Sequence, residues 1–295
     1  MAGNITTTVL LFSADFLTGC FVKNRNETLR DSFGQPLKTY KSGIFSLVTY
    51  NIAGLPDFIS KSTPSHNTEI ISRLLNRFDI ALLQEDFYFH KEILKYSRHP
   101  YKSKKSKGGL FLTGDGLNRL SNFPFKNYYR KEWRKRYGIL TNDSDVLAPK
   151  GFSFARHEIF PGVIIDIYNL HMDAGHGEGD SKARKAEAEQ LIDNVKEGRT
   201  ERAVIIAGDW NLKRERPEDL RILGELIKEL KLKDVRTFLN AEEDRIDKVL
   251  FRNGNRVKFT PIRYIAEDSD FIDEDEKPLS DHTPVSVVFR WEYTP

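Results

Sequence analysis

Several polar residues stand where short apolar runs stop. "IFSLVTY" (44–50) delivers Asn51, "IALLQ" (80–84) delivers Glu85, "VIIDIYNL" (163–170) delivers His171 and then Asp173, and "AVIIAG" (203–208) delivers Asp209 and Asn211. "DKVLF" (247–251) begins on Asp247, and Asp281 and His282 come just before "PVSVVF" (284–289). Singly, each has a structural reading: Asn51 ahead of Gly54 and Pro56 makes a turn, Glu85-Asp86 starts a helix, and Asp209 and Asn211 satisfy loop backbone as Asx residues do. On one shared rim they would gather carboxylates, carboxamides and imidazoles with no matching set of cations. Clustered carboxylates repel unless a cation sits among them. Oxygen ligands from Glu85 and Asp281 suit Mg2+ or another hard divalent ion, which takes few protein ligands and several waters. Cys20, the lone cysteine, lies far from these residues in sequence, which excludes a thiolate zinc site. The two histidines, with ordinary pKa values near neutrality, suit proton transfer.

These groups need elements to carry them. Runs of strand length recur at 44–50, 80–84, 109–113, 151–160, 163–171, 203–208, 247–251 and 284–289, rich in Val, Ile, Phe and Tyr. Helical spacing places Ile70, Ile71, Leu74, Leu75 and Phe78 on one face over 67–77. It does the same for Ala188, Leu191, Ile192 and Val195 over 181–196, and for Leu220, Ile222, Leu223, Leu226 and Ile227 over 217–230. Strands with interspersed helices predict an α/β architecture with a sheet-on-sheet core and helices packed outside. On an extended segment, Asp209 and Asn211 would point the same way.

The 295 residues suit one large domain or two small ones, and 39% hydrophobic with 30% charged residues is an ordinary globular composition. No repeat or Pro/Gly/Ser-rich linker divides the chain. The net charge of +3 permits a phosphate-bearing partner without demanding one. Residues 1–40 form a separate N-terminal segment with two readings, and 41–295 form the main domain. "LTGC" ending at Cys20 resembles a bacterial lipobox followed by a polar tether, which would make the protein secreted or lipid-anchored. Against that, no Lys or Arg precedes the apolar run and Asp15 interrupts it; the other reading is an edge strand over Ile5 to Phe12 in a soluble protein.

"TYNIAGLP", "LLQED", "YNLHMDA", "AGDWNL", "RIDKVLF" and "LSDHTPV" occur in an order that resembles the endonuclease/exonuclease/phosphatase superfamily, the deoxyribonuclease I-like fold. The resemblance runs from about Ser46 to Phe289. "SDVLAPKGFSFAR" (144–156), which contains Lys150, and "DGLNRLSNFPF" (115–125) are similar to the neutral sphingomyelinase branch. The resemblance implies a four-layered α/β sandwich, two packed mixed β-sheets flanked by helices. It also implies Mg2+-dependent hydrolysis of phosphate esters, with Mn2+ able to substitute. Carried onto these residues, it makes Glu85, Asn51 and Asp281 the metal group. Asp209 would orient or deprotonate water, and Asn211 would hold a phosphate oxygen. His171 would face the phosphate or leaving group, and His282 would act on the phosphate or in acid–base transfer, oriented by Asp247 or Asp281. Lys150 and Asp173 are substrate-side candidates, with a surface position the alternative for Asp173.

Charge bears on the substrate. "KNYYRKEWRKRYG" (126–138) interleaves six basic residues with Tyr128, Tyr129, Trp133 and Tyr137. Such a segment stacks on bases, settles at a membrane interface, or is merely a solvated face. "KYSRHPYKSKKSKGG" (95–109) reads as a basic loop. "EDSDFIDEDE" (267–276) places seven carboxylates shortly before Asp281 and would repel a long polyanion. The balance favours a phosphodiesterase acting on a phospholipid headgroup or small phosphodiester, at a membrane surface in the lipid case. A Mg2+-dependent nuclease acting on DNA or RNA is the alternative, followed by a phosphomonoesterase and a non-catalytic membrane-binding module. No protein partner is evident.

Overall fold

The computed structural model describes residues 41–295 except 59, 61, 107–113, 136, 138–148, 199–200 and 243. The expected strand over 109–113 and both readings of the first 40 residues, Cys20 included, lie outside the described residues. In chain order the elements are β1 Lys41–Asn51, α1 Pro64–Leu75, β2 Ile80–Gln84, α2 His90–Tyr96, β3 Tyr101–Lys102, β4 Asn118–Ser121, β5 Phe125–Glu132, β6 Gly151–Phe160 and β7 Val163–His171. There follow α3 Glu178–Glu197, β8 Val204–Asp209, α4 Pro217–Leu230, β9 Lys233–Asp234, α5 Val235–Phe238, β10 Asp247–Arg252, β11 Val257–Ala266 and β12 Val285–Tyr293.

The strands make two mixed sheets, ordered β11-β12-β1-β2-β4-β3 and β5-β6-β7-β8-β10-β9. Each holds one parallel pair, β1 with β2 and β7 with β8, joined by crossovers that carry α1 and α3. Parallel pairing covers a strand on both faces, and β2 and β8 are accordingly buried along their whole length. The first part of β11 alternates instead, with Val257 and Phe259 buried between exposed Lys258 and Thr260, as a strand with one wet face does.

Three apolar clusters define four layers. Phe45, Leu47 and Leu82 from the first sheet meet Ile165, Ile167 and Ile205 from the second in the middle. Ile71, Leu75 and Ile93 bring α1 and α2 onto the outer face of the first sheet. Leu191, Val195, Leu223 and Leu226 bring α3 and α4 onto the outer face of the second. This is the four-layered α/β sandwich with two packed mixed sheets that the sequence implied. The expected helices are present, α1 and α3 starting three residues earlier than expected and α4 spanning the expected 217–230. Pro64 occupies the first turn of α1, where its missing N–H costs nothing, and Asp180 reaches back to the Gly177 N–H ahead of α3.

One reading is sharpened and one corrected. The described part of the basic run 126–138 is a strand with a partly solvated face, followed by a buried Trp133. That strand is β5, in which Tyr129 stacks on Phe154 at 4.9 Å. The run 95–109 is not all loop, because Tyr101 and Lys102 pair with Ser121 and Leu120.

Candidate active site

Register brings the polar strand ends together. Asn51 ends β1 opposite Gln84, so Glu85 emerges beside it. His171 ends β7 opposite Asp209, the last residue of β8, and Asp247, the first of β10, also pairs with Asp209. His282 comes three residues before β12, which runs antiparallel to β1. The side chains meet across the gap between the sheets. Asn51 Nδ2 donates to Glu85 Oε1 at 3.0 Å and to Asp209 Oδ2 at 3.2 Å, and lies 3.5 Å from His282 Nε2. His171 Nε2 is 3.3 Å from Asp209 Oδ2 and 3.9 Å from Glu85 Oε1. His282 Nε2 is 3.7 Å from the same Asp209 oxygen, while its Nδ1 is 2.8 Å from Asp247 Oδ2.

The backbone is strained where these groups are placed. Ala53, Glu85 and Asn211 all have left-handed φ, of 45°, 54° and 48°. Non-glycine residues hold that conformation only where surrounding structure imposes it. At Glu85 the carbonyl accepts from Gly54 and Phe87, and Asp86 N donates to Gly116 O. The opening into Asp209 needs Gly208, whose φ is 147° and whose missing Cβ would strike the Leu170 carbonyl oxygen.

Burial and neighbours set the charges. Burial raises the pKa of Glu85, against the pull of Lys150 and Asn51. Burial also lifts Asp209 to about 6, opposed by the His282 charge. His171 is buried, and burial, with the Lys150 charge adding to it, holds its pKa well below the usual imidazole value. Burial pulls His282 the same way, but Asp247 and Asp209 outweigh it and raise the group to about 10. The centre therefore holds one neutral and one protonated imidazole around a single carboxylate.

The expected residues do not all stand in this centre. Asp247 rather than Asp281 orients His282. Asp281 is exposed at the rim, where Ser280 Oγ lies 3.5 Å from its Oδ1. The Asn51 carboxamide oxygen accepts from Ala53 N, so its amide, not its oxygen, faces Glu85. Asn211 is left-handed rather than extended. Its N–H donates to Asp209 Oδ1 and its Nδ2 donates to Met172 O at 3.0 Å. The Asx turn is thus real, yet it uses only one Asp209 oxygen and leaves Oδ2 to the centre. Asp173 is buried, not a surface residue, and its N–H donates to Glu187 Oε2. Lys150 is also buried, with Nζ 3.5 Å from Met172 O.

Other contributors escape a reading by strand ends. Gln84 Nε2 donates to Asn169 Oδ1 across the sheets at 2.7 Å, and Asn169 Nδ2 returns a bond to Asn118 O. Asn118 and His90 both hold Asp86 Oδ2, next to Glu85. Trp133 Nε1 donates to the His171 carbonyl at 2.7 Å.

The donor set fits a hard divalent cation. Glu85, Asp209 and Asp247 are carboxylates of low exposure, ligand atoms of Asp209, Asp247 and His282 lie within 4.8 Å of one another, and buried Asp247 Oδ1 has no hydrogen-bond partner. Among the described residues Asp209, Asp247 and His282 are the one group of three or more such side chains that close together, and Glu85 stands beside it, bonded by Asn51 and 3.9 Å from His171 Nε2.

A family model described as the Endonuclease/Exonuclease/phosphatase family matches residues 48–282. A sphingomyelinase of Mycobacterium tuberculosis is 29% identical over 272 residues, covering 85% of this chain and 53% of that protein. The chain thus spans about half the length of that relative. Among solved structures, a mutant of beta toxin from Staphylococcus aureus with bound magnesium ions aligns at a TM-score of 0.62 and 15% identity, covering 85% of this chain and 99% of that one. A D. rerio TDP2 humanized by 14 mutations aligns at 0.61 and 19% identity, covering 83% and 98%. These structural likenesses share the fold.

Proposed function

The chain belongs to the endonuclease/exonuclease/phosphatase family, and we propose that it is a Mg2+-dependent phosphodiesterase acting on a phospholipid headgroup, as its sphingomyelinase relatives are named for. The observation that carries this reading is the convergence of Asn51, His171 and His282 on Asp209 Oδ2, at 3.2, 3.3 and 3.7 Å, with Glu85 and Asp247 beside them. Glu85, supported by Asn51, would hold the metal with Asp281 at the rim, and Mn2+ would substitute. The bound ion would neutralise charge developing on the phosphate.

The remaining chemistry falls to the chain. Asp209 Oδ2 takes a proton from an attacking water as the new P–O bond forms, because a carboxylate with a pKa of about 6 is ionised yet basic at neutral pH. His282, held protonated by Asp247, places a fixed positive charge against the phosphoryl oxygens. His171, neutral and buried, donates a hydrogen bond from Nε2 toward the phosphate or the departing oxygen. As the old P–O bond breaks, the leaving alkoxide takes a proton from solvent water and Asp209 returns its own proton to solvent, so the products are an alcohol and a phosphate monoester. Asn211, whose Nδ2 donates to the Met172 carbonyl, would hold a phosphate oxygen with its other amide N–H.

Sphingomyelin vesicles and supercoiled plasmid, each assayed with Mg2+ and with EDTA, test the reading. Phosphocholine release that EDTA abolishes, and that Glu85→Gln lowers by about 10²–10³-fold, is expected. Plasmid nicking without lipid hydrolysis would establish the nuclease alternative, and turnover unaffected by EDTA would overturn the metal.

A further inference from the structure

The basic and aromatic run 126–138 is only partly consumed by the fold. Arg130 pairs with Asp115, Lys131 stands 3.9 Å from Glu197, Tyr129 stacks on Phe154, and Trp133 enters the core. Arg134, Lys135 and Tyr137 remain exposed. They line a cavity of about 870 Å³ with Trp133, Lys182 and the Gly177–Gly179 turn that opens α3. One hydrogen bond links the cavity lining to the backbone of the centre, from Trp133 Nε1 to the His171 carbonyl. Tyr137 is 53% exposed and lies against Gly179, where any Cβ would collide with its ring.

Among the described residues, three cations face this space against one lining carboxylate. Glu178 pairs with Lys182 at 2.6 Å, and nearby Asp180 is occupied by the Gly177 N–H. Arg134 and Lys135 carry the unbalanced charge. The opposite flank differs. There a cavity of about 550 Å³ is lined by Asp273, Glu274, Asp275 and Asp281, with Lys277 and His66. A nucleic-acid strand crossing the centre would meet that acidic wall, whereas a surface that presents phosphates on one side only would not. A tyrosine with an apolar ring and a wet hydroxyl sits comfortably at a lipid headgroup layer.

We propose that the cavity walled by Arg134, Lys135, Lys182 and Tyr137 is an exosite for the phosphate of an anionic membrane lipid, which seats the catalytic rim on the bilayer beside the hydrolytic centre. It is a binding site, measured without turnover, so its failure leaves the proposed hydrolysis standing and the converse also holds.

The test is sedimentation of the full chain, in EDTA, with phosphatidylcholine vesicles that contain or lack phosphatidylserine. The chain should favour the anionic vesicles, less so as salt rises. Arg134→Glu with Lys135→Glu should weaken that binding by at least about 25-fold, since each basic residue at an anionic surface contributes about 5-fold. Gly179→Ala, which displaces Tyr137 without altering charge, should weaken it by a smaller factor. Lys258→Glu with Arg290→Glu, exposed on the other sheet, is the control for net charge, and unfolding midpoints confirm that each variant is folded. An equal loss in the control pair, or equal binding to both vesicle types, overturns the proposal. So does a double variant that loses inorganic phosphate or a single-stranded oligonucleotide while keeping its vesicle binding.

Discussion

His171 and His282 approach the same oxygen, Asp209 Oδ2, at 3.3 and 3.7 Å, yet their pKa values shift in opposite directions. What separates them is the support behind each ring. His171 closes a strand buried along its last seven residues, is fixed through its own carbonyl by Trp133, and has Lys150 as a charged neighbour. His282 sits at the rim and shows its Nδ1 to the Asp247 carboxylate. Burial penalises the protonated form of both, and only His282 has anions enough to overcome it. The centre thus sorts a neutral hydrogen-bond donor from a permanent cation without using different residue types.

Removing the anion behind His282 is the strongest way to break the contrast. Asp247→Asn keeps an acceptor oxygen for Nδ1 and deletes the charge that Asp209 alone cannot replace. His282 should fall from about 10 toward its ordinary 6.5, read by NMR titration of the imidazoles in the metal-free protein, while His171 stays low. kcat/KM toward a soluble phosphodiester should drop by about 10²–10³-fold at neutral pH. A variant whose His282 is still protonated at alkaline pH would assign the contrast to something other than Asp247.

The other side of the contrast is disturbed through Trp133, with a smaller effect. Trp133→Phe retains most of the ring packing and leaves the His171 carbonyl without its 2.7 Å donor. A buried acceptor left alone costs about 1–3 kcal/mol, visible in urea unfolding. Activity should fall about 10-fold, as losses of supporting hydrogen bonds do. The His282 titration should not move; a shift there would mean that the two rings share one support.

The same division explains what could be read from the chain. Asn51, Glu85, His171, Asp209, Asp247 and His282 were legible because apolar strands end on them, and a strand buried on both faces leaves its polar groups only at its ends. Choosing Asp247 over Asp281 as the partner of His282 required the register that sets Asp247 against Asp209. Gln84 and Asn169 were hidden for another reason: Gln84 ends β2 and Asn169 lies inside β7, and nothing local says that each meets the other across two sheets. Trp133 was visible only as part of a basic run, since its burial depends on α3 and β6 packing around it. The left-handed turn at Asn211 is likewise imposed by tertiary bonds to Asp209 and Met172.

The smallest expected effect is on stability, and its sign follows from the same carboxylates. His282 binds its proton more tightly folded, at about 10, than unfolded, at its ordinary 6.5. Its stabilisation is therefore complete below the lower value and fades as pH climbs through the higher one. Asp209, raised from 3.8 to about 6, acts with the same sign in a lower window, being lost as pH rises through about 6. His282→Gln keeps a polar side chain, removes the upper window, and frees Asp209 from the His282 charge that holds its pKa down. In EDTA, the urea midpoint of the native chain should exceed that of His282→Gln near pH 7, and the gap should close as pH approaches 10. A gap that widens with pH would show that His282 is neutral in the folded protein, and the two rings would then no longer differ.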